Sequence, residues 1–322
     1  MMRQAGRYLP EYRALRGRAG SFWIMCMDPS MAAEITMQPI RRFGFDAAII
    51  FSDILTVPFA LGREIHFEEG SGPSLKSVGS IEGLERDPLI WKSRLEPAYQ
   101  TLRRVRPALP DEAVLLGFAG APWTLATYMA AGRGGDEQRA AKLWGYRDEE
   151  GFSRLLELLG DCIASHLVWQ LEAGADAVQI FDSWAGGLPL ELFQRWVVAP
   201  TKRIVDKVRA QRSDARIIGF PRATTTQGYE RYAEQTGVDA VSIDMAAPVN
   251  WAASSLAQKA AVQGNLDPVA LLAGGKALAD AVDRIVDGMR GTRFIFNLGH
   301  GVLPETPPEH VAEVVRRVRA AA

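Results

Sequence analysis

The feature that most constrains this chain is a rhythm of short apolar runs separated by longer amphipathic stretches. The runs are FDAAIIF (45–51), AVLLGF (113–118), DAVQIF (176–181), RIIGF (216–220), AVSID (240–244), AAVQGNL (260–266) and FIFNLG (294–299). Their hydrophobicity is continuous, not alternating, which suits strands covered on both faces, as in a parallel sheet. Between them the spacing predicts helices. One spans 152–171, where Leu155, Leu156, Leu159, Ile163 and Leu167 form a single stripe. A second is predicted over 268–289 and a last one over 308–321. Strands alternating with helices imply parallel packing with the helices outside.

Seven runs are one short of a (β/α)₈ TIM barrel. The only place left for an eighth strand is around Met1–Met2. The reading is therefore α/β: a single (β/α)₈ barrel domain over residues 1–322, its first strand truncated at the N-terminus. A doubly wound open sheet is the competing fold. It wants a glycine-rich phosphate turn after its first strand, and GRGG (132–135) does not follow a strand in that way. No shift in composition marks a second domain.

The formal net charge is -1 over 322 residues, so no global basic field exists and nucleic-acid binding is not expected. A polyanionic ligand would have to be held by a local arginine cluster. Cys26 and Cys162 stand alone, without metal-ligand spacing, which points to a reducing compartment. No apolar run approaches the roughly 18 residues of a membrane span, and the polar start lacks the apolar core of a signal peptide. A cytoplasmic protein is expected, without a membrane partner.

In a barrel, chemistry gathers at the C-terminal ends of the strands. After the first run, Ser52 and Asp53 interrupt the apolar sequence FSDIL. Asp53 either caps a loop or helix or aims a carboxylate into the barrel mouth. In GFAGAPWTLATYM (117–129), Gly117, Gly120 and Pro122 shape a tight loop and Thr124 can cap the next helix. Tyr128 lies one turn into that helix, as packing or as a site group. In QIFDSWAGG (179–187), Gln179, Phe181 and Ser183 share one side while Asp182 points the other way. No GxSxG elbow surrounds Ser183, which argues against a nucleophile. His300 sits between two glycines in NLGHG, placed to be presented at the mouth or kept for structure. His66, His166 and His310 read as surface or helix residues.

Other chemistries fit less well. Lys259 lies at the N-terminal edge of its strand, whereas a Schiff-base aldolase wants a lysine at the other end. Asp53, Asp244 and Asp267 fall on mostly separated strands, which disfavours a divalent-metal site. His300 has no second zinc ligand at short spacing. What remains is Arg3, Arg7, Asp53, Tyr128, Ser183 and His300, a set suited to an anionic substrate and to electrostatic or proton-transfer catalysis without a cofactor or metal.

The opening segment MMRQAGRYLPEYR places Arg3 and Arg7 four apart around Gly6. Guanidinium forks bind carboxylates bidentately, and glycine lets backbone approach a ligand closely. RxxxR alone is a common solvated helix face. The string MRQAGRYLPEYR, however, strongly resembles the N-terminal signature of the uroporphyrinogen decarboxylase family. QPIRRFGFDAAIIFSDIL, GFAGAPWTLATYM, QIFDSWAG, IIGFPR, GVDAVSID, QGNLDP and NLGHGV are similar to that family in the same order, over nearly the whole chain.

The resemblance implies a cofactor-free carboxy-lyase, usually a cytoplasmic homodimer. Its small-molecule tetrapyrrole substrate, uroporphyrinogen, loses four acetate carboxyls to give coproporphyrinogen. It also implies residue roles. Asp53 matches the central aspartate, and Arg3 and Arg7 match the arginines that grip carboxylates. The backbone of Gln4, Ala5 and Gly6 lies against the same groups. Tyr128, Ser183 and His300 match further contacts, Phe181 walls the cleft, and Arg16 is an outer carboxylate partner. The chain departs from the family pattern at Ala223, Met245 and LPLEL (188–192). The family usually carries a further helix and Pro-x-Trp ahead of the opening segment. The rival functions are a zinc-dependent corrinoid or thiol methyltransferase of the same superfamily and a non-catalytic tetrapyrrole-binding protein.

Overall fold

Seven parallel strands lie side by side in the order in which the chain makes them. They are β1 (Ala47–Ile49), β2 (Val114–Gly120), β3 (Ala177–Asp182), β4 (Arg216–Pro221), β5 (Ala240–Ser242), β6 (Ala261–Leu266) and β7 (Phe294–Leu298). The structure is a computed structural model that describes residues 6–68, 72–134 and 136–321. Each apolar run of the sequence holds one strand. The registers are continuous, from Ala47 opposite Val114 to Leu266 opposite Leu298. A sequential order differs from the reversing order of a doubly wound sheet. Residues from all seven strands, including Ala47 and Ile49 of β1 and Phe294 and Phe296 of β7, line one cavity of about 610 Å³. The sheet is therefore curled around an interior. The place expected for an eighth strand, Met1–Met2, lies outside the described residues.

The helices cover the outer face. The helix Pro29–Phe43 shows how they are delimited. Asp28 caps it by accepting from the Ser30 and Met31 amides, Pro29 occupies the first turn, and Gly44 ends it with φ 61°. The helix Glu149–Glu172 buries the predicted stripe Leu155, Leu156, Leu159, Ile163 and Leu167. His166 is buried in it, with its Nδ1 hydrogen-bonded to the Tyr99 hydroxyl at 2.9 Å. The helix Pro308–Ala321 ends the described chain as expected. No helix among the described residues is long and apolar enough to cross a membrane.

Two expectations need correction. The helix predicted over 268–289 is two helices, Pro268–Ala273 and Gly275–Gly288. The break is at Gly274, with φ 68° and ψ −162°, where a Cβ would run into the His310 ring. An antiparallel hairpin, Ile65–Glu68 with Gly72–Leu75, was not foreseen. Its second strand is tied to the loop after the helix Pro122–Ala131, the Leu75 amide donating to the Gly132 carbonyl at 2.8 Å.

Polar residues inside the fold are paired with care. Gln179, Ser242 and Gln263 are buried together on the inner face of β3, β5 and β6. Gln263 Nε2 donates to Gln179 Oε1 at 3.3 Å and to the Ser242 hydroxyl. Toward the C-terminal ends of the strands, Phe181 meets Phe118 and Phe220 edge to face. Asp182, one residue out of phase with Gln179 and Phe181, turns to the outer side as expected. There it is 1% exposed. Its Oδ1 accepts from the Thr124 hydroxyl at 2.5 Å, and Oδ2 has no hydrogen-bond partner. Thr124 therefore does not cap its helix, which begins after Ala121 without a side-chain cap. It also accepts from the Trp184 amide at 3.1 Å.

Burial outweighs the Thr124 hydrogen bond and raises the Asp182 pKa from 3.8 to about 7. An unfolded aspartate ionises near its ordinary value, so between the two pKa values folding takes up a proton. Stability from this group is then greatest below about pH 4 and falls as pH rises to about 7. Asp182→Asn cannot ionise and should abolish that slope. At the roughly 1.4 kcal/mol per pKa unit set by linkage, the effect is about 4 kcal/mol at most. Thermal melts of both proteins at pH 5 and pH 8 measure it. His166, held neutral by burial down to about pH 3, acts equally in both and cancels. An unchanged pH difference would show that Asp182 is not the titrating group.

Gly219 offers a second test. A Cβ at this position in β4 would collide with the buried Tyr232 ring and hydroxyl. Gly219→Ala should cost about 1–3 kcal/mol, as over-packed cores do, and lower the melting temperature by several degrees. An unaltered melt would mean that Tyr232 yields without cost.

Candidate active site

The opening helix, Pro10–Ala19, is fixed by its buried face. Tyr8, Leu9, Tyr12 and Leu15 are buried, with Tyr8 stacked on Phe43 and Tyr12 edge-on to Phe51. Glu11 accepts a bidentate pair from Arg42, both bonds at 2.8 Å. The turn before the helix closes from the Leu9 amide to the Gly6 carbonyl at 3.0 Å. Arg7 lies in that turn and is exposed. Arg3, Gln4 and Ala5 lie outside the described residues.

Asp53 follows β1. Phe51 is buried, and its amide donates to the Thr36 hydroxyl at 2.9 Å. Two residues on, Asp53 Oδ1 accepts from the Leu55 amide at 2.8 Å, and its carbonyl accepts from the Thr56 hydroxyl at 2.8 Å. The side chain thus closes an Asx turn just ahead of the short helix Thr56–Ala60, whose N-cap, Leu55, has no side-chain cap bond, so of the two structural roles read for it Asp53 takes the loop one. The residue stays partly exposed.

Electrostatics link the two segments. Burial and the neighbouring Cys26 raise the Tyr12 pKa, and the cationic Arg16 and Arg7 pull it the other way. Cys26, itself buried, is raised well above an ordinary thiol by desolvation and then by Asp53. Arg7 and Arg16 on one side and Asp53 on the other thus act on one buried Tyr12–Cys26 pair. The arginines of the opening helix and the aspartate after β1 share one corner of the fold. Tyr12 and Cys26 were not singled out by sequence reading, because neither carries charge or motif.

The exits of β2 and β3 form a second group. Tyr128 sits in the helix Pro122–Ala131, edge-on to Trp184 at 6.3 Å between ring centres. Trp184 is held by its carbonyl, which accepts from Trp123 Nε1 at 2.8 Å. Phe181 ends the inner stripe of β3 and lines the interior cavity. Ser183 follows it, and its carbonyl accepts from Arg222 Nη1 at 3.1 Å. Arg222 belongs to the loop after β4 and was missed in sequence, although GFPR (219–222) was noticed. The same loop holds Ala223 at φ 61°, its amide donating to buried Asp244 at 2.6 Å. A non-glycine residue is thereby held in the left-handed region beside the site.

His300 follows β7. The Gly299 amide donates to the Leu266 carbonyl at 2.8 Å, and a Cβ on Gly299 would meet the Met245 backbone. Glycine is required for that approach, and it presents His300, partly exposed, at the strand's end. Arg13 joins this loop to the opening segment. Its Nε donates to the Arg7 carbonyl at 2.6 Å and its Nη2 to the Pro304 carbonyl at 3.0 Å. Among the described residues, no group of three or more His, Cys, Asp or Glu side chains converges as metal ligands would. Asp53, Tyr128, Phe181, Ser183 and His300 all follow, or end, strands at their C-terminal side, where a curled parallel sheet carries its chemistry.

Known proteins resemble this chain in sequence and in fold. A family model described as uroporphyrinogen decarboxylase (URO-D) matches residues 1–321. A uroporphyrinogen decarboxylase of Mesorhizobium japonicum is 53% identical over 324 residues, covering 100% of this chain and 93% of that protein. One from Brucella anthropi is 52% identical over 325 residues, covering 99% and 93%. Among solved structures, a methyltransferase from Methanosarcina mazei superposes with a TM-score of 0.78 at 16% identity, over 96% of this chain and 89% of that one. A B12-independent methionine synthase from Shewanella gives 0.58 at 11% identity, over 91% and 89%. At such identities these two likenesses speak for the fold alone. The sequence identity over the full chain settles the family: the chain belongs to the uroporphyrinogen decarboxylases.

Proposed function

We propose that this protein decarboxylates the four acetate side chains of uroporphyrinogen to methyls, releasing coproporphyrinogen. The observation that carries the reading is the match to the family over residues 1–321, with 53% identity to a uroporphyrinogen decarboxylase across the whole chain.

The chemistry follows from the pyrrole. Protonation at a ring carbon makes the ring an electron sink. The bond between the acetate methylene and its carboxylate then breaks, and CO₂ leaves as its bonding electrons flow into the ring. A proton delivered to the methylene completes the methyl, and loss of the proton first added to the ring carbon restores the neutral pyrrole. In this reading Asp53 accepts hydrogen bonds from the pyrrole N–H groups and stabilises the cationic ring. Arg3 and Arg7 grip carboxylates, with the backbone of Gln4, Ala5 and Gly6 against the same groups. Tyr128, Ser183 and His300 contact the substrate further out, and Phe181 walls the cleft. No step calls for a cofactor or metal. One well-aimed group supplies about 3–4 kcal/mol of a barrier reduction of about 8–23 kcal/mol, so positioning by the arginines must supply much of the rest.

The reading extends to the architecture. We infer that the curled sheet belongs to a single-domain (β/α)₈ barrel. The cavity lined jointly by β1 and β7 supports this reading. A cytoplasmic homodimer, without a nucleic-acid or membrane partner, completes the proposal.

The test is an anaerobic assay with enzymatically generated uroporphyrinogen. The protein should yield coproporphyrinogen; none at high enzyme concentration would overturn the function. Asp53→Asn should lower kcat by at least about 100-fold while KM stays within a few-fold. Near-normal turnover would remove Asp53 from the mechanism.

A further inference from the structure

Arg13 of the opening helix bridges the turn just before that helix and a loop far away in sequence. Its Nε and Nη2 are spent on backbone carbonyls, those of Arg7 and of Pro304, the latter 291 residues away in sequence. Pro304 lies four residues after His300, in the loop between β7 and the helix Pro308–Ala321. A planar guanidinium holds its two donors at a fixed separation and angle. It therefore sets the spacing between the turn that carries Arg7 and the loop that carries His300.

Buried Tyr8, Leu9, Tyr12 and Leu15 seat the opening segment on the core, and the Arg13 bonds add a direct tie from it to the His300 loop. The Glu11–Arg42 pair ties the same helix to the helix Pro29–Phe43, a different neighbour. The Gly6–Leu9 turn is closed only locally, within the opening segment. Arg13 is exposed, so its role in holding the core is small.

We propose that Arg13 is a positioning residue for the decarboxylation: it holds Arg7 and His300 at the separation that a polycarboxylated substrate requires, without gripping a carboxylate itself. The inference rests on the reading of Arg7 and His300 as substrate contacts. It differs from the face-value assignment of an arginine in this cluster, which would be to a substrate carboxylate. Its Nε and Nη2 donate to carbonyls, and a carboxylate gripped side-on by that Nε/Nη2 fork would have to displace them.

The experiment is a mutant cycle on the full chain, read by KM and kcat for uroporphyrinogen and by thermal melting. Arg13→Ala should raise KM about ten-fold, with kcat within about three-fold and an almost unchanged melting temperature. Arg13→Lys should fall between the two, because an ammonium on a flexible stem replaces one carbonyl contact but not a rigid pair. Arg7→Ala should raise KM by itself. Adding Arg13→Ala to it should then cost clearly less than Arg13→Ala costs alone, since the group being positioned is gone. Effects that multiply would assign Arg13 an independent contact and overturn the inference while leaving Arg7 in the site. A fallen melting temperature with unchanged KM would reduce Arg13 to a structural tie and overturn it also. If Arg7→Ala leaves KM unchanged, the substrate reading of Arg7 fails first and takes this inference with it.

Discussion

The covering of a parallel sheet on both faces is the constraint on which the rest of this protein depends. Helices bury its outer side, and its curl encloses much of the inner one, so most strand interiors are dry. A dry strand admits polar side chains only where partners are supplied. Gln179, Ser242 and Gln263 satisfy each other across three strands. Asp182 satisfies one oxygen through Thr124 and meets the cost of the other by a shifted pKa. Groups that need water or ligand are pushed to the strand ends, and there the conserved geometry of the fold does the sorting: Asp53, Ser183 and His300 all stand just past the end of a strand.

That same constraint explains what could be read without coordinates. Seven strands were legible because burial on both faces writes a continuous apolar run, and each run contains its strand to within a few residues. The helix 152–171 was legible because a stripe of leucines has one period. The break at Gly274 was not, because the apolar spacing continues on both sides of it and only the His310 ring shows why the chain must turn. The hairpin Ile65–Glu68 with Gly72–Leu75 escaped because IHFE and GPSL are short and mixed, with no run to mark them. Thr124 looked like a cap from its place in the sequence. Its partner Asp182 is 58 residues away, beyond any local rule.

The site divides in the same way. Asp53, Ser183 and His300 stood out in the sequence as polar residues past apolar runs, Phe181 as part of a stripe with Gln179 and Ser183, and Tyr128 by its place early in a helix; their proposed roles rest on the family resemblance. Arg13 and Arg222 were not assigned roles, because their function is to donate to backbone carbonyls in other segments. A carbonyl carries no signature in the sequence, so a side chain whose partner is a carbonyl is invisible until the fold is known. The neutral total charge misleads for a related reason. Charge balance over the chain says nothing about a corner in which Arg7 and Arg16 stand together, while elsewhere Arg42, Arg106 and Arg209 are neutralised by Glu11, Asp176 and Asp239.

Such a corner has a mechanical consequence. A substrate with many carboxylates pulls on several cations at once, and each cation is only as useful as the backbone that holds it. Arg7 is exposed in a turn anchored on one side by buried Tyr8 and Leu9, and His300 follows a glycine packed on the Met245 backbone, so each support is held on one side and open on the other. Burying them would stiffen them but would close the mouth to a large ligand. A guanidinium laid across the two carrying segments stiffens both and leaves the mouth open. The exposure of Arg13 is then no sign of idleness: a brace between two rims of an open cleft has to be at the surface.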